Sequence, residues 1–233
     1  MQSSRKMNGI EAFRHRLRPA RGDPEGALVL FHGRGTNEHD LFPLIDLLDP
    51  EARLVGITPR GPLELGGGAH WYVVRQVGYP DPDTFFATYA ALTAWVDALP
   101  ETLGVPTERI ALGGFSQGAV MTYALALGRD RSSPPAAIAL SGFIPEVDGF
   151  ELDLESRTGM PVAIGHGAYD PVIGVEFGRA ATQRLERAGL SVVYRESPMA
   201  HSVDPGFLED LRPWLGAAVN AAARPGSMGA GGP

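Results

Sequence analysis

The chain has 233 residues, of which 44% are hydrophobic and 20% are charged, so it is long enough to bury one sizeable core. Its net charge of −7 argues against nucleic acid as a partner, because proteins meet a phosphate backbone with clustered lysine and arginine. The absence of cysteine excludes disulfides, a thiol nucleophile and any zinc site built on thiolates.

The ends of the chain carry no membrane or secretion signal. No run of about 18 apolar residues occurs, so neither a membrane span nor a membrane partner is predicted. Residues 1–20 lack the apolar segment of a secretory signal, and the lack of cysteine fits a reducing compartment, so we predict a cytoplasmic protein. We expect a flexible N-terminus over residues 1–9, one domain over 10–223 and a disordered tail over 224–233, which has almost nothing to bury.

Short β-rich runs alternate with amphipathic stretches along the chain, which is typical of a mostly parallel sheet with helices on both faces. An edge strand is predicted near Phe13–Leu17. The other predicted strands are Ala27–His32, Arg53–Thr58, Ile110–Gly114, Ala136–Leu140, Pro161–Gly165 and Ser191–Ser197. The predicted helices are Glu38–Leu48, Asp83–Leu99, Gln117–Leu127, Val175–Ala188 and Pro205–Ala222.

The stretch from Pro59 to Pro82 interrupts this alternation. It contains three consecutive glycines followed by His70, Trp71 and Tyr72, with no helix or strand pattern of its own. Structureless segments of this length inside a compact domain are usually functional or mobile. We interpret the segment as a rim of the active site, in which Trp71 is either a wall of the substrate pocket or a packing anchor.

The strongest local motif is Gly114-Phe115-Ser116-Gln117-Gly118, which follows an apolar strand and opens a predicted helix. A serine nucleophile on such a strand-to-helix turn needs almost no side chain two positions before and two positions after it. Gly114 and Gly118 meet that need. The alternative is a glycine-rich turn whose serine merely caps the helix.

A serine hydroxyl needs an adjacent base, and in this arrangement the acid and then the histidine follow the serine along the chain. His201 follows the last predicted strand, at the edge of the sheet where ligands bind. His166 stands at the end of the predicted strand Pro161–Gly165, and we interpret it as a packed histidine.

Asp170 lies after the strand Pro161–Gly165 and before the next helix, so it is the predicted acid. The alternative is an ordinary turn aspartate before proline. The other candidates, which lie in an irregular acidic connection, are Glu146, Asp148 and Asp153.

Acyl transfer also needs N–H groups aimed at the developing oxyanion. We predict the backbone N–H of Gln117, directly after the nucleophile, and that of Arg34, in the glycine-rich loop after the strand Ala27–His32. Asn37 in the same loop is predicted to cap the following helix. His70 has no second ligand at helical spacing, so neither a metal nor another cofactor is predicted.

Together these motifs resemble those of the phospholipase/carboxylesterase family, which includes bacterial carboxylesterases and acyl-protein thioesterases. The similarity extends from Ala27 to Leu215 and includes His32-Gly33-Arg34-Gly35, the serine motif with Ala119, Gly165–Asp170 and Ala200-His201. It implies an α/β-hydrolase fold without a large cap domain. It also supports the roles given above to five residues, namely Ser116, Asp170, His201, Arg34 and Gln117. Members of the family often form homodimers.

The predicted function is that of a serine carboxylesterase that cleaves small-molecule esters through an acyl-serine intermediate, with Trp71, Tyr72 and Phe143 lining the pocket. Arg34 stands where many relatives have an apolar residue, and Gly68–Val73 replaces a longer Trp-Phe-Asp stretch. Both differences favour small esters over acylated proteins. The alternatives are a lysophospholipase or acyl thioesterase of the same fold, and a non-catalytic binding protein, which would not need three ordered catalytic groups.

Overall fold

The computed structural model describes residues 9–221. The predicted tail at 224–233 and the first eight residues of the predicted flexible N-terminus lie outside this range. The described strands are β1 (His15–Arg18), β2 (Gly26–Phe31), β3 (Leu54–Pro59), β4 (Leu63–Leu65), β5 (Gly68–His70), β6 (Val74–Gln76), β7 (Tyr79–Pro80), β8 (Ile110–Phe115), β9 (Ala137–Leu140), β10 (Pro161–Gly167) and β11 (Ser191–Ser197).

Seven of these strands form the central sheet, in the order β1-β3-β2-β8-β9-β10-β11. The edge strand β1 runs antiparallel to β3, and the other neighbours are parallel. The helices are α1 (Phe42–Leu48), α2 (Pro82–Leu103), α3 (Gln117–Leu127), α4 (Val175–Arg187) and α5 (Pro205–Ala221). The predicted α/β-hydrolase architecture is confirmed.

The two faces of the sheet are both buried, as the continuous apolar strands predict. In β2, Val29 and Phe31 pack with α2 and α3, while Leu28 and Leu30 pack on the opposite face with α1 and α5. Towards the other edge, α4 joins α3 on the first face. Burying a side chain of this size stabilises the fold by about 1.5–3 kcal/mol, so this alternation fixes the register of the central strands.

The predicted start of the first helix was wrong. The helix begins at Phe42 rather than at Glu38, because the preceding residues form a turn held by their own side chains. Asn37 Oδ1 accepts the N–H of His39 at 3.0 Å and therefore does not cap the helix. Glu38 is buried and forms an ion pair with Arg14 at 2.6 Å.

The segment from Pro59 to Pro82 is not structureless, which corrects the prediction. It folds into two antiparallel hairpins, β4 with β5 and β6 with β7. Strand β5 also pairs with the loop after β2, since Gly35 N–H donates to Ala69 O at 2.8 Å and Ala69 N–H donates to Thr36 O at 2.7 Å. The first hairpin thereby supports the loop that carries Arg34.

Candidate active site

Ser116 lies on the sharp turn between β8 and α3. Its φ and ψ are 56° and −119°, a conformation that costs a non-glycine residue free energy and is maintained only by its surroundings. A Cβ at Gly118 would lie 1.9 Å from Phe31 O, and one at Gly114 would lie 2.5 Å from Gly118. The two glycines are thus required by the close approach of backbone on either side of the serine.

The structure brings the three predicted triad side chains together. Ser116 Oγ lies 2.9 Å from His201 Nε2, and His201 Nδ1 lies 2.6 Å from Asp170 Oδ2. The loops that carry the latter two residues are joined, since the Tyr169 N–H donates to Met199 O at 3.0 Å. The three side chains form one continuous hydrogen-bonded path.

The surroundings of Asp170 keep it ionised. Burial raises the pKa of this carboxyl, but the hydrogen bond from His201 and those from the Ile173 and Val172 N–H groups outweigh it and hold the pKa below the usual aspartate value. The two backbone bonds, both to Oδ1, are 2.9 and 2.8 Å long. Because an ionised carboxylate only accepts, His201 Nδ1 carries the proton and Nε2 is left to accept from Ser116.

The rejected candidates do not replace any member of the triad, although His166 Nε2 lies 3.6 Å from Asp170 Oδ2. His166 is fully buried, and its Nε2 lies 2.8 Å from Ile173 O, so it packs behind the loop of Asp170, as predicted. Glu146 pairs with Arg184 on the surface, and Asp153 accepts from Ser156. Neither carboxylate contacts His201 in the described residues.

The two predicted oxyanion donors both line the cavity at Ser116. Within residues 9–221, neither the Arg34 N–H nor the Gln117 N–H donates to a protein acceptor. Two unpaired donors beside a serine hydroxyl are suited to an oxygen that gains negative charge.

Sequence reasoning missed His32, which shapes the loop of Arg34. Its ring is buried; Nε2 accepts the Gly61 N–H at 2.9 Å, and Nδ1 therefore carries the proton and donates to Gly33 O at 2.7 Å. Burial lowers the pKa of His32, so the ring stays neutral and keeps both bonds. The only signal in the sequence was a histidine at the end of a strand before glycine.

A cavity of about 340 Å³ opens at Ser116. Of the three residues predicted for the substrate pocket, Tyr72 and Phe143 lie in the wall of this cavity, together with an apolar rim. The residues in the wall are Arg34, Tyr72, Val74, Gln76, Val77, Ser116, Gln117, Phe143, Val172, Ile173 and His201.

Trp71 is not among the residues that line this cavity but lies behind them, which favours the packing role of the two predicted for it. The side chain is fully buried, and its Nε1–H donates to His32 O at 2.8 Å. Its ring packs edge-on against Phe31 at a centroid distance of 5.5 Å. Trp71 therefore anchors the segment to the end of β2.

The Gln117 side chain, also missed from sequence, joins the serine turn to the same segment. Its Oε1 accepts the Trp71 N–H at 2.8 Å, and its Nε2 donates to Tyr72 O at 2.6 Å. Thr88 of α2 donates to Trp71 O at 2.6 Å. We refer to the paired Gln117, Trp71 and Tyr72 as the clasp. It fixes the cavity wall to Gln117, the residue next to Ser116, by two buried hydrogen bonds.

Over residues 9–221, no three histidine, aspartate or glutamate side chains are grouped so that they could hold a metal ion. None of the helices in this part of the chain is long and apolar enough to cross a membrane.

Comparison with protein families gives one match over most of the chain. A family model described as phospholipase/carboxylesterase matches residues 16–218. Among curated proteins, one named as a hydrolase, MhqD of Bacillus subtilis, is 29% identical over 85% of this chain and 96% of its own. Acyl-protein thioesterase 1 of Debaryomyces hansenii is 28% identical over 71% of this chain and 73% of its own.

Solved structures give the same fold. The carboxylesterase of Mesorhizobium loti superimposes with a TM-score of 0.77 and 25% identity, over 88% of this chain and 95% of its own. The carboxylesterase of Bacillus cereus superimposes with a TM-score of 0.76 and 22% identity, over 88% and 94%.

Proposed function

This chain belongs to the phospholipase/carboxylesterase family, and we propose that it is a serine hydrolase that cleaves small carboxylic esters through an acyl-serine intermediate. The observation that carries the proposal is the hydrogen-bonded path from Ser116 through His201 to Asp170, with distances of 2.9 and 2.6 Å. Because the ionised Asp170 accepts the hydrogen bond from the N–H of His201 Nδ1, His201 Nε2 is free to accept the hydroxyl proton of Ser116.

In the acylation step, Ser116 Oγ attacks the ester carbonyl carbon while His201 Nε2 takes the hydroxyl proton. The carbonyl oxygen becomes an oxyanion and accepts from the N–H groups of Arg34 and Gln117. Asp170 stabilises the imidazolium that forms. When the intermediate collapses, the carbon–oxygen bond to the alcohol breaks, and the alcohol leaves with the proton from His201.

In the deacylation step, water replaces the alcohol. His201 removes a proton from the water, the resulting hydroxide oxygen attacks the acyl carbon, and the same two N–H groups hold the second oxyanion. Collapse then breaks the bond between the acyl carbon and Ser116 Oγ, which recovers its proton from His201.

The size of the cavity supports small substrates. At about 340 Å³ it lies near the lower end of ligand pockets, which run from roughly 300 to 1,000 Å³. Each buried methylene contributes about 0.8 kcal/mol, so binding improves only until the cavity is full. We expect kcat/KM to peak at acyl chains of about two to six carbons and then to fall.

A thioesterase is the second candidate, because the same machinery attacks a thioester carbonyl and relatives at 28% and 27% identity are named acyl-protein thioesterase 1. It differs from the first candidate in the leaving group and in the acyl length that the cavity accepts.

Two measurements test the proposal. A fluorophosphonate probe should label wild type and not Ser116→Ala, and p-nitrophenyl esters and matched thioesters from acetyl to palmitoyl should reveal the acyl preference. An optimum at palmitoyl length, or turnover of thioesters alone, would favour the thioesterase. Absence of both labelling and turnover would leave a non-catalytic binding protein.

A further inference from the structure

Among residues 9–221, Arg34 is the one member of the cavity wall that carries a permanent charge; the other members are apolar, neutral polar or the triad histidine. Its side chain is exposed at the cavity, and within residues 9–221 its guanidinium has no hydrogen bond or ion pair. A cation at the reaction site is therefore left without a partner from the described chain.

The arginines near Arg34 do form ion pairs. Arg75, beside the cavity in β6, pairs with Asp81 at 2.5 Å, and Arg184, in the adjoining groove, pairs with Glu146 at 3.8 Å. The other described arginines without a partner of any kind lie away from the cavity; they are Arg21, Arg109 and Arg187.

The position of Arg34 brings its positive charge close to the site where the ester carbonyl is proposed to bind. Its backbone N–H is one of the two proposed oxyanion donors, so its side chain starts at the residue that would hold the substrate carbonyl. A small ester bound there places its far groups within reach of the guanidinium. An anion in this cavity would find no second arginine or lysine among the described lining residues, which include Val74, Val77 and Phe143.

We propose that Arg34 binds a carboxylate carried by the ester, so that the cavity selects acidic esters over neutral esters of the same size. A guanidinium matches a carboxylate through two parallel N–H donors. The selection is local, because a net charge of −7 does not attract anions at long range. The inference rests on the proposed esterase function.

The test compares each acidic ester with its methyl ester, which removes the negative charge and adds one methyl group. On the acyl side these are p-nitrophenyl hydrogen adipate and its methyl ester; on the alcohol side they are 4-acetoxybenzoate and its methyl ester. The measured quantity is the ratio of kcat/KM for the acid to kcat/KM for the methyl ester, each divided by the rate constant for uncatalysed hydrolysis of the same bond, which removes differences in intrinsic reactivity. A ratio cancels any effect of a substitution on the general rate.

We expect a ratio of about tenfold or more in wild type for one of the two pairs, as a hydrogen bond to a charged group provides. The pair that shows it identifies the side of the ester that carries the carboxylate. Arg34→Met, which keeps the backbone N–H, should bring the ratio to about one, and Arg34→Lys should retain part of it. Arg187→Met, an exposed and unpaired arginine on α4, is the matched control and should keep the wild-type ratio.

Salt gives a second measurement. Raising ionic strength from about 0.01 M to about 1 M shortens the screening length from about 30 Å to about 3 Å, so the wild-type ratio should fall. A ratio near one for both pairs in wild type, or one that persists in Arg34→Met, would overturn the inference. The esterase proposal is judged separately on the methyl esters: if these are hydrolysed without any preference, only the carboxylate site fails, and if no ester is hydrolysed, both fail.

Discussion

The two walls of the catalytic cavity are built in different ways. The wall that carries Ser116 belongs to the central sheet, where the Ser116 N–H donates to Leu140 O at 2.8 Å and β8 is buried on both faces. The opposite wall comes from the second hairpin, whose strand β6 is exposed along its whole length. Val77 and Tyr79 of that hairpin are 38% and 56% exposed.

This contrast suggests that one wall determines the rate of the reaction and the other determines which substrates bind. The sheet holds the proposed reacting groups through backbone bonds and close glycine contacts. The hairpin wall is held by the clasp and the buried Trp71 on one side and by bonds from Val73 to Thr84 and Asp81 at its base. Changes in the first wall should alter the rate of the chemical step. Changes in the second should alter substrate preference where a residue lines the cavity, and stability where it packs behind the lining. The following predictions test that division.

Ser116→Ala should have the largest effect. Removing Oγ removes the nucleophile, and loss of a triad member costs on the order of a thousandfold or more in rate. The measurement is turnover of p-nitrophenyl acetate, with thermal unfolding to show that the fold is intact. Ser133→Ala, an exposed serine after α3, is the control. Turnover in Ser116→Ala above roughly a hundredth of wild type would contradict the assignment.

Asp170→Asn should lower kcat by about 10³–10⁴-fold, because an amide neither stabilises the imidazolium nor maintains the tautomer of His201. Steady-state kinetics on a short ester would measure it. Asp148→Asn, on an exposed loop, should keep wild-type activity. The reverse pattern would mean that the acid has been misassigned.

Trp71→Ala tests the second wall. Because Trp71 is fully buried, its truncation should lower the free energy of unfolding by about 3–5 kcal/mol, measured by urea denaturation. The acyl-length preference should keep its optimum, since Trp71 does not line the cavity. A flattened preference with unchanged stability would show that the ring contacts substrate after all.

Gln117→Met removes the clasp but keeps the backbone N–H at the oxyanion position. It leaves the Trp71 N–H and Tyr72 O without their partner, so we expect a loss of about 1–3 kcal/mol in unfolding free energy and a rise in KM larger than the fall in kcat. Gln183→Met, exposed on α4, is the control. A fall in kcat alone would place the Gln117 side chain in the chemical step instead.

The smallest effect concerns acid stability. The pKa of Asp170 is lowered by folding despite its burial, so its contribution to stability is complete above the unfolded value, about 3.9, and is lost as pH falls through the lower folded value. The difference in unfolding free energy between wild type and Asp170→Asn should therefore shrink in urea titrations carried from neutral pH to about pH 3. A difference that grows in acid would mean that folding raises the pKa of this carboxyl instead of lowering it.

The sequence predicted the elements of the wall that carries Ser116 far better than those of the second hairpin. The bounds of α3 (Gln117–Leu127) and β11 (Ser191–Ser197) agree with the prediction, because local signals mark where both elements begin and end. Ser116 could be selected from its glycine-flanked motif, and Asp170 and His201 from chain order and their places after predicted strands, since parallel strands bring their carboxyl ends to one edge of the sheet.

The second wall depends on contacts that no local pattern encodes. Strand β6 has no buried face, so its residues show no alternation to detect. The clasp joins Gln117 to Trp71, far apart in sequence, and His32 acts through Gly61. In the same way the helix predicted from Glu38 is prevented by contacts from outside the segment, since Glu38 is buried and pairs with Arg14 of the N-terminal edge.

The base of the second hairpin is closed where the Asp81 N–H donates to Val73 O at 3.0 Å, beside the clasp at Tyr72. Residues 74–80 thus form a replaceable tip between two fixed points. We expect that changes in the sequence of this tip leave the hydrogen-bonded path from Ser116 to Asp170 unaltered, since neither of its hydrogen bonds involves residues 74–80. Proteins of this fold that share one reaction would then differ in substrate preference through this short segment.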